Sequence, residues 1–171
     1  MSWSRIAPAA AALVVASLLA GCFQPLYSET AHPGLVADLR AIEVAPVGGR
    51  IGHYLAENLI ADLNGTGQSA ATPKYRLAVK VSTGTQTPTV NSMINVASSA
   101  TMTGDADYAL TKVDGGAEVV KGTANAAAAY DRTTQRYADM RAARDAEIRI
   151  ARALSQEISL RLASALAAKT P

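Results

Sequence analysis

Three runs of alternating apolar and polar residues in the middle of the chain constrain its fold more than any other feature. The first run begins at Lys74, the second covers residues 93–113, and the third covers residues 118–131. Alternation with a period of two is typical of strands that bury one face of a sheet. Asp114-Gly115-Gly116 lies between the last two runs and predicts a hairpin turn. We therefore predict three antiparallel strands.

The parity of each run predicts which side chains face the core. The apolar positions of the second run are Ile94, Val96, Met102, Tyr108 and Leu110, and those of the third are Val120, Gly122, Ala124, Ala126, Ala128 and Tyr130. The first run places Tyr75, Leu77, Val79 and Val81 on one face and Lys74, Arg76 and Lys80 on the other. A loop is expected at residues 83–91, which contain Gly84 and Pro88.

Helical spacing flanks these runs. A short strand is predicted over residues 39–44, and apolar residues four apart predict a helix over residues 50–63. A long helix is predicted over residues 134–168, with an apolar stripe formed by Met140, Ile150, Leu154, Ile158, Leu162 and Ala165. The order β-α-β-β-β-α predicts an α+β two-layer sandwich, in which two helices pack on a mostly antiparallel four-stranded sheet.

The N-terminal residues predict a lipoprotein signal peptide. Arg5 precedes an apolar stretch, and Leu19-Ala20-Gly21-Cys22 resembles the bacterial lipobox. Cys22 would then carry an S-diacylglyceryl group and an N-acyl chain, which anchor the mature chain to a membrane. The alternative is a transmembrane helix, but the stretch contains Pro8 and falls short of the roughly 20 apolar residues that spanning requires.

Cleavage at Cys22 divides the chain into a signal peptide (1–21), a lipidated tether (22–38) and a single α+β domain (39–168). Because Phe23 rather than Asp follows the lipidated cysteine, we expect delivery to the outer membrane, facing the periplasm. Cys22 is the only cysteine, so a disulfide framework is excluded. The 16 basic and 14 acidic side chains nearly balance, which argues against a nucleic-acid partner.

Catalytic or cofactor motifs are not evident. His53 and Glu57 lie one helical turn apart and could share a metal ligand, but an exposed i,i+4 pair explains them equally. Gly65-Thr66-Gly67-Gln68 lacks the third glycine of a dinucleotide-binding loop. We predict a binding or assembly protein without a cofactor or metal. A lipid-anchored periplasmic enzyme is the alternative of a different class.

Several stretches resemble the LptE family of lipopolysaccharide-assembly lipoproteins. The lipobox continues into Phe23-Gln24-Pro25-Leu26-Tyr27, close to the Gly-Phe-x-Pro-Leu-Tyr opening of one branch of that family, although Phe23 replaces the glycine. Further matches are Val44-Ala45-Pro46, the helix over residues 50–63, Tyr75-Arg76-Leu77, Tyr130-Asp131 and Arg144-Asp145-Ala146-Glu147. The resemblance covers nearly the whole mature chain.

The resemblance implies a sheet covered on one side by two helices. It also implies that the protein plugs the LptD β-barrel of the outer membrane, assists its assembly and binds lipopolysaccharide. A basic position that the family uses for lipopolysaccharide aligns with Arg144, and a second aligns near Thr101, which is not basic.

Other cations are candidate contacts for lipopolysaccharide phosphates. Arg141 lies near the start of the last helix, where the helix dipole disfavours a cation. Binding to an anionic partner would explain why a cation stands at this position. Arg76 and Lys80 share a sheet face whose cations sum their fields, although a solvated face explains them too. A pilotin-like lipoprotein of another envelope assembly machine is the alternative within the same class.

Overall fold

The computed structural model describes residues 32–65, 67–87, 90–91, 96–97 and 99–168. The helices are α1 (Leu35–Arg40), α2 (Gly49–Asn64) and α3 (Arg136–Ala167). The strands are β1 (Ile42–Val44), β2 (Tyr75–Gln86), β3 (Val90–Asn91), β4 (Val96–Ala97), β5 (Ser99–Lys112) and β6 (Glu118–Asp131). The α+β class is confirmed, with three helices where the sequence predicted two.

The main sheet has the order β1-β2-β5-β6. β1 runs parallel to β2, with Ile42 opposite Tyr75, while the other neighbours are antiparallel. The sheet is therefore mixed, with β1 at one of its edges. The predicted hairpin turn is confirmed, because Gly115 and Gly116 between β5 and β6 both have positive φ. β3 and β4 form a separate two-stranded ribbon.

The core lies between one face of the sheet and the helices. The predicted parity is confirmed, because Leu77, Met102, Tyr108 and Leu110 are buried with the α3 residues Ile150, Leu154, Ile158 and Leu162. Small strand residues allow α3 to approach closely. A Cβ added at Gly104 would lie 2.5 Å from Cγ2 of Ile150 on α3. Gly122 instead makes room for its strand neighbour Tyr108 of β5, whose hydroxyl would lie 2.8 Å from an added Cβ.

The segment before β1 differs from the prediction. Leu35 and Leu39, expected in the tether and in the first strand, lie on one face of α1 and are buried in the core. The helix ends where the Ala41 N–H donates to the Ala37 carbonyl. The predicted strand start at residue 39 is therefore wrong, since β1 begins at Ile42, and the folded part of the chain includes α1.

The predicted loop at residues 83–91 is wrong in its first part. Residues 83–86 continue β2 and pair with residues 101–104 of β5. The side chains of this stretch are exposed, so the small and polar residues that suggested a loop are compatible with a strand. The predicted second strand is β5, which begins at Ser99, and Ile94 lies outside the described residues.

Met140 was expected in the buried stripe of the last helix, but it is 57% exposed. The reason is tertiary: α2 begins at Gly49 and leaves the first turns of α3 uncovered. The predicted signal peptide and Cys22 lie outside the described residues. Within the described part of the chain, no helix combines the length and hydropathy needed to cross a bilayer.

Candidate functional site

An open cavity of about 370 Å³ lies where the start of α2 meets the first turns of α3. Its lining is basic and apolar: Arg50, Tyr137, Met140, Arg141, Ala143 and Arg144. Two of the four residues predicted to contact lipopolysaccharide, Arg141 and Arg144, therefore meet in one cavity. Arg50 joins them from a helix that is about 90 residues earlier in the chain.

The cavity exists because α2 covers only part of one face of α3. Tyr137 and Ser155 are 18 residues apart, which is five helical turns, so their side chains lie on the same face. Ser155 is 0% exposed and its hydroxyl donates to Asp62 of α2 at 2.6 Å, whereas Tyr137 is 72% exposed. The N-terminal half of this face is thus open to a partner.

Arg144 is held in place by Tyr54 of α2. Its Nε and Nη2 atoms donate to the Tyr54 hydroxyl at 2.9 and 2.6 Å, and its guanidinium carbon lies 5.9 Å from the ring centroid. Because the acceptor is a neutral phenol, the charge of Arg144 is not neutralised. A guanidinium that is fixed in this way is suited to bind a phosphate or carboxylate.

Arg50 and Arg141 differ in their surroundings. Arg50 donates to both carboxylate oxygens of Glu147, at 2.7 and 2.5 Å, and this hydrogen bonding, with the attraction of the carboxylate, raises the pKa of Arg50. Arg141 has no ion pair with any residue in the described ranges. The site therefore holds two uncompensated cations, Arg141 and Arg144, beside one ion pair.

The other two predicted contacts, Arg76 and Lys80, lie elsewhere. They are on the face of the sheet that points away from the helices, because Leu77 and Val79 of the same strand are buried on the helix side. Nη2 of Arg76 is 3.1 Å from Oε2 of Glu43. Lys80 has no ion pair within the part of the chain that the structure describes. The four predicted residues therefore do not form one site.

No helix in the described part of the chain lies over the sheet face that carries Lys80, and this face bears small or polar side chains. Its charges are partly held in place, because Thr123 donates to Asp107 at 2.7 Å and Asn125 donates to Asp105 at 2.6 Å. A shallow hollow of about 450 Å³ lies over this face; its lining includes Ala78, Lys80, Asp107, Ala109, Lys121 and Thr123. We refer to this surface as the open sheet face.

The His53–Glu57 pair is exposed, with His53 Nε2 3.3 Å from Glu57 Oε1. No group of three metal-ligating side chains occurs among the described residues. Sequence reasoning missed Arg50, Tyr54 and Tyr137 as members of the site. Tyr137 lies one helical turn before Arg141 and two turns before Arg144, and this spacing was the only sequence signal that placed it in the site. The α2 residues Arg50 and Tyr54 carry no comparable signal.

Neither a protein-family model nor a curated protein sequence matches the chain. Among solved structures, a Caulobacter crescentus CB15 protein provisionally described as a lipoprotein is 28% identical, with a TM-score of 0.66 over 80% of this chain and 98% of its own. A minor lipoprotein from Acinetobacter baumannii is 12% identical, with a TM-score of 0.52 over 73% of this chain and 92% of its own.

These similarities support an envelope lipoprotein. The Caulobacter protein is similar in sequence as well as in fold, and the Acinetobacter protein is similar in fold alone. Rare lipoprotein B from Shewanella oneidensis is more distant, with 11% identity and a TM-score of 0.45 over 74% of this chain and 93% of its own, and supports no argument. A membrane-associated lipoprotein agrees with the lipobox that ends at Cys22.

Proposed function

We propose that the protein is a non-enzymatic outer-membrane lipoprotein of lipopolysaccharide export. In this role it plugs an LptD-type β-barrel, assists the assembly of that barrel and binds lipopolysaccharide, while lipid chains on Cys22 hold it at the periplasmic surface. The observation that carries the proposal is the cavity in which two uncompensated arginines lie beside exposed apolar side chains.

The cavity matches the chemistry of lipopolysaccharide. Lipid A and core phosphates require cations, which Arg141 and Arg144 supply, and guanidinium groups bind phosphate oxygens with two parallel hydrogen bonds. Acyl chains require apolar surface, which the exposed side chains of Tyr137 and Met140 supply. An anionic amphiphile fits this combination better than a free phosphate ion, because a phosphate ion has no apolar group to contact Tyr137 and Met140.

The open sheet face supports the role of a barrel plug. The lumen of an outer-membrane barrel is lined by polar side chains and water, so a plug needs a polar surface. The open sheet face offers hydroxyl, amide and carboxylate groups on a surface of short side chains, among them Thr103, Asp105, Thr123 and Asn125. Such a surface can lie close to a curved polar wall.

The barrel partner is tested by isolating the full lipoprotein from membranes in a mild detergent. We expect a large outer-membrane β-barrel protein to copurify in a stable complex. Depletion of the lipoprotein should also make the outer membrane permeable, because lipopolysaccharide no longer reaches the cell surface. Recovery of the lipoprotein only as a free monomer, together with an intact permeability barrier, contradicts the proposal.

The glycolipid site is tested with Arg141→Ala/Arg144→Ala and with Arg152→Ala/Lys112→Ala as the control, which also removes two charges outside the cavity. Arg152 is an exposed α3 arginine that has no ion pair within the described ranges and does not line the cavity. Hydrogen bonds to charged groups contribute about 1.5–3 kcal/mol, so we expect at least about tenfold weaker lipopolysaccharide binding for the double variant. Equal losses in the variant and the control would assign the effect to net charge alone.

A further inference from the structure

The two edges of the main sheet differ in what lies beside them. β1 pairs only with residues 75–77 of β2, so no strand among the described residues lies beside the remaining outer edge of β2, residues 79–86. The outer edge of β6 also lacks a strand in the described ranges, but α3 lies along it. We refer to the edge of β2 over residues 79–86 as the free edge.

The hydrogen bonds to β1 establish which backbone groups the free edge exposes. The Tyr75 N–H donates to Ala41 and the Leu77 carbonyl accepts from Ala45, so the odd-numbered residues of β2 point their backbone groups outward. By the same alternation, Val79, Val81, Thr83 and Thr85 each point an N–H and a carbonyl outward. These groups have no hydrogen-bond partner in the described part of the chain.

The corresponding edge of β6 is capped by side chains of α3. Arg149 donates to the Ala129 carbonyl at 2.9 Å, Arg161 donates to the Thr123 carbonyl at 2.6 Å, and Glu157 accepts from the Asn125 N–H at 3.3 Å. Capping of this kind blocks the addition of a further strand. The fold therefore closes one edge of the sheet and leaves a comparable length of the other edge open.

The open length follows from the sequence after β1. Pro46 has no N–H to donate, and the chain turns away at Gly48 to begin α2. β1 consequently ends after three residues, although β2 continues to Gln86. From Ser82 to Gln86 the side chains of β2 are exposed as well.

We propose that an extended segment of the barrel partner adds to the sheet as a strand along the free edge. This inference rests on the proposed function, because the occupant is the barrel protein. The segment comes from a loop or an arm outside the barrel wall, since the strands of a closed barrel have no unpaired edge. Backbone hydrogen bonds supply the affinity of strand addition, and the flanking side chains supply its specificity.

Charge identifies the chemistry of the added segment. Lys80 is the only charged side chain of the free edge, and it lies on the open sheet face beside the hollow that Lys121 also lines. Lys80 forms no ion pair with a described residue, although Asp107 lies opposite it on β5 and accepts a hydrogen bond from Thr123. We expect the added strand to place an acidic side chain opposite Lys80. A cross-strand pair of opposite charges fixes the register of the strand.

The test compares Thr83→Pro/Thr85→Pro with Thr83→Ala/Thr85→Ala in the full lipoprotein. The N–H groups that proline removes point away from β5, so the internal sheet keeps its hydrogen bonds, while the outer donors are lost. We expect the proline variant to recover about tenfold less barrel protein, the alanine variant to recover the wild-type amount, and Lys80→Glu to recover less. Circular dichroism and thermal unfolding verify that each variant is folded.

Hydrogen exchange gives a second measurement on the unmodified protein. In the free lipoprotein the N–H groups of Val81, Thr83 and Thr85 should exchange fast, whereas those of Lys80 and Ser82, which pair with β5, should exchange slowly. Addition of the barrel partner should protect the first set and leave the second set unchanged. This measurement does not depend on the proline variant.

The outcomes separate the two proposals. If wild-type protein recovers the barrel and the proline variant recovers it equally well, without protection of the outward N–H groups, the strand addition is overturned and the proposed function stands. If wild-type protein recovers no barrel, the proposed function is overturned and the strand addition with it. If the same N–H groups become protected in the lipoprotein alone at high concentration, the free edge pairs with a second copy of the lipoprotein. That result would overturn the barrel protein as the occupant of the free edge.

Discussion

Arg144 of α3 donates two hydrogen bonds to the hydroxyl of Tyr54 on α2 and stacks its charge near the same ring. The contact joins residues that are 90 positions apart in the chain. It directs an uncompensated guanidinium toward the cavity beside Tyr137 and Met140. Tyr54 is therefore a positioning residue, which acts through Arg144.

Replacing Tyr54 by Phe tests this role. Tyr54→Phe keeps the ring and its packing but removes the oxygen that accepts from Arg144, so the guanidinium loses its fixed direction. Since a hydrogen bond to a charged group contributes about 1.5–3 kcal/mol, we expect lipopolysaccharide binding to weaken about tenfold with little change in thermal stability. Combining it with Arg144→Ala should weaken binding no further than Arg144→Ala alone. Additive losses in this double-mutant cycle would show that Tyr54 acts independently.

Gly104→Ala should destabilise the fold. The added Cβ would lie 2.5 Å from Cγ2 of Ile150, so α3 must move away from β5 or Ile150 must leave its rotamer. Overpacking of this kind typically costs about 1–3 kcal/mol of unfolding free energy. The measurement is chemical or thermal unfolding of the folded domain.

Gly84→Ala is the matched control for Gly104→Ala. Its added Cβ meets only the Thr103 hydroxyl oxygen, at 3.2 Å, on the open sheet face where the side chain is able to rotate. We expect a change within about 0.5 kcal/mol, as for most surface substitutions. Equal effects at Gly84 and Gly104 would mean that close approach of α3 does not constrain β5.

Stability should fall at alkaline pH. Hydrogen bonding to Asp38 raises the pKa of Lys74, and burial raises the pKa of Tyr75. A pKa that is raised on folding contributes stability below the unfolded value, and this stability is lost as the pH rises through the folded pKa. With unfolded values of about 10 for Tyr and about 10.4 for Lys, the loss should occur above about pH 10.

Unfolding melts between pH 8 and pH 11 measure this dependence. Tyr75→Phe and Lys74→Met should each flatten the decline, because each removes one group whose proton is held more tightly in the folded state. Lys112→Met is a control, since Lys112 carries no ion pair in the described ranges. An unfolding temperature of wild-type protein that stays constant from pH 8 to pH 11 would refute the linkage.

Cys22→Ser should abolish lipidation. Only a thiol at the lipobox position accepts the diacylglyceryl group, so the variant should keep its signal peptide and fail to incorporate radiolabelled palmitate. Mass spectrometry of the N-terminus and membrane fractionation measure the result. Palmitate labelling that persists in the variant would place lipidation elsewhere.

Much of the fold was predictable from local pattern. The alternation along β5 and β6 predicted both the strands and their buried faces, because a strand with one buried face must repeat every two residues. The helix over residues 50–63 was found within one residue at each end, since Leu55, Leu59 and Leu63 form an apolar face and Gly65 follows it. The loop at residues 83–91 failed because an exposed strand carries no apolar signal.

The candidate site was less predictable, because its members come from different elements. Arg144 was predicted from its alignment with a basic position of the LptE family, and Arg141 from its place near the start of the last helix. Arg50 and Tyr54 were missed, because nothing local indicates that α2 begins beside the first turns of α3. The expectation that Met140 is buried failed for the same reason.

The sequence by itself determined the α+β class, the buried parity of the strands, the two long helices and the expected lipidation at Cys22, because periodicity and short motifs are local properties. Only the tertiary structure decided that α2 leaves half of an α3 face exposed, that Tyr54 orients Arg144, and that α3 caps β6 while β2 keeps a free edge. Those outcomes depend on where elements end relative to one another in space, and pairwise packing distances are not encoded in the spacing of residues along one element.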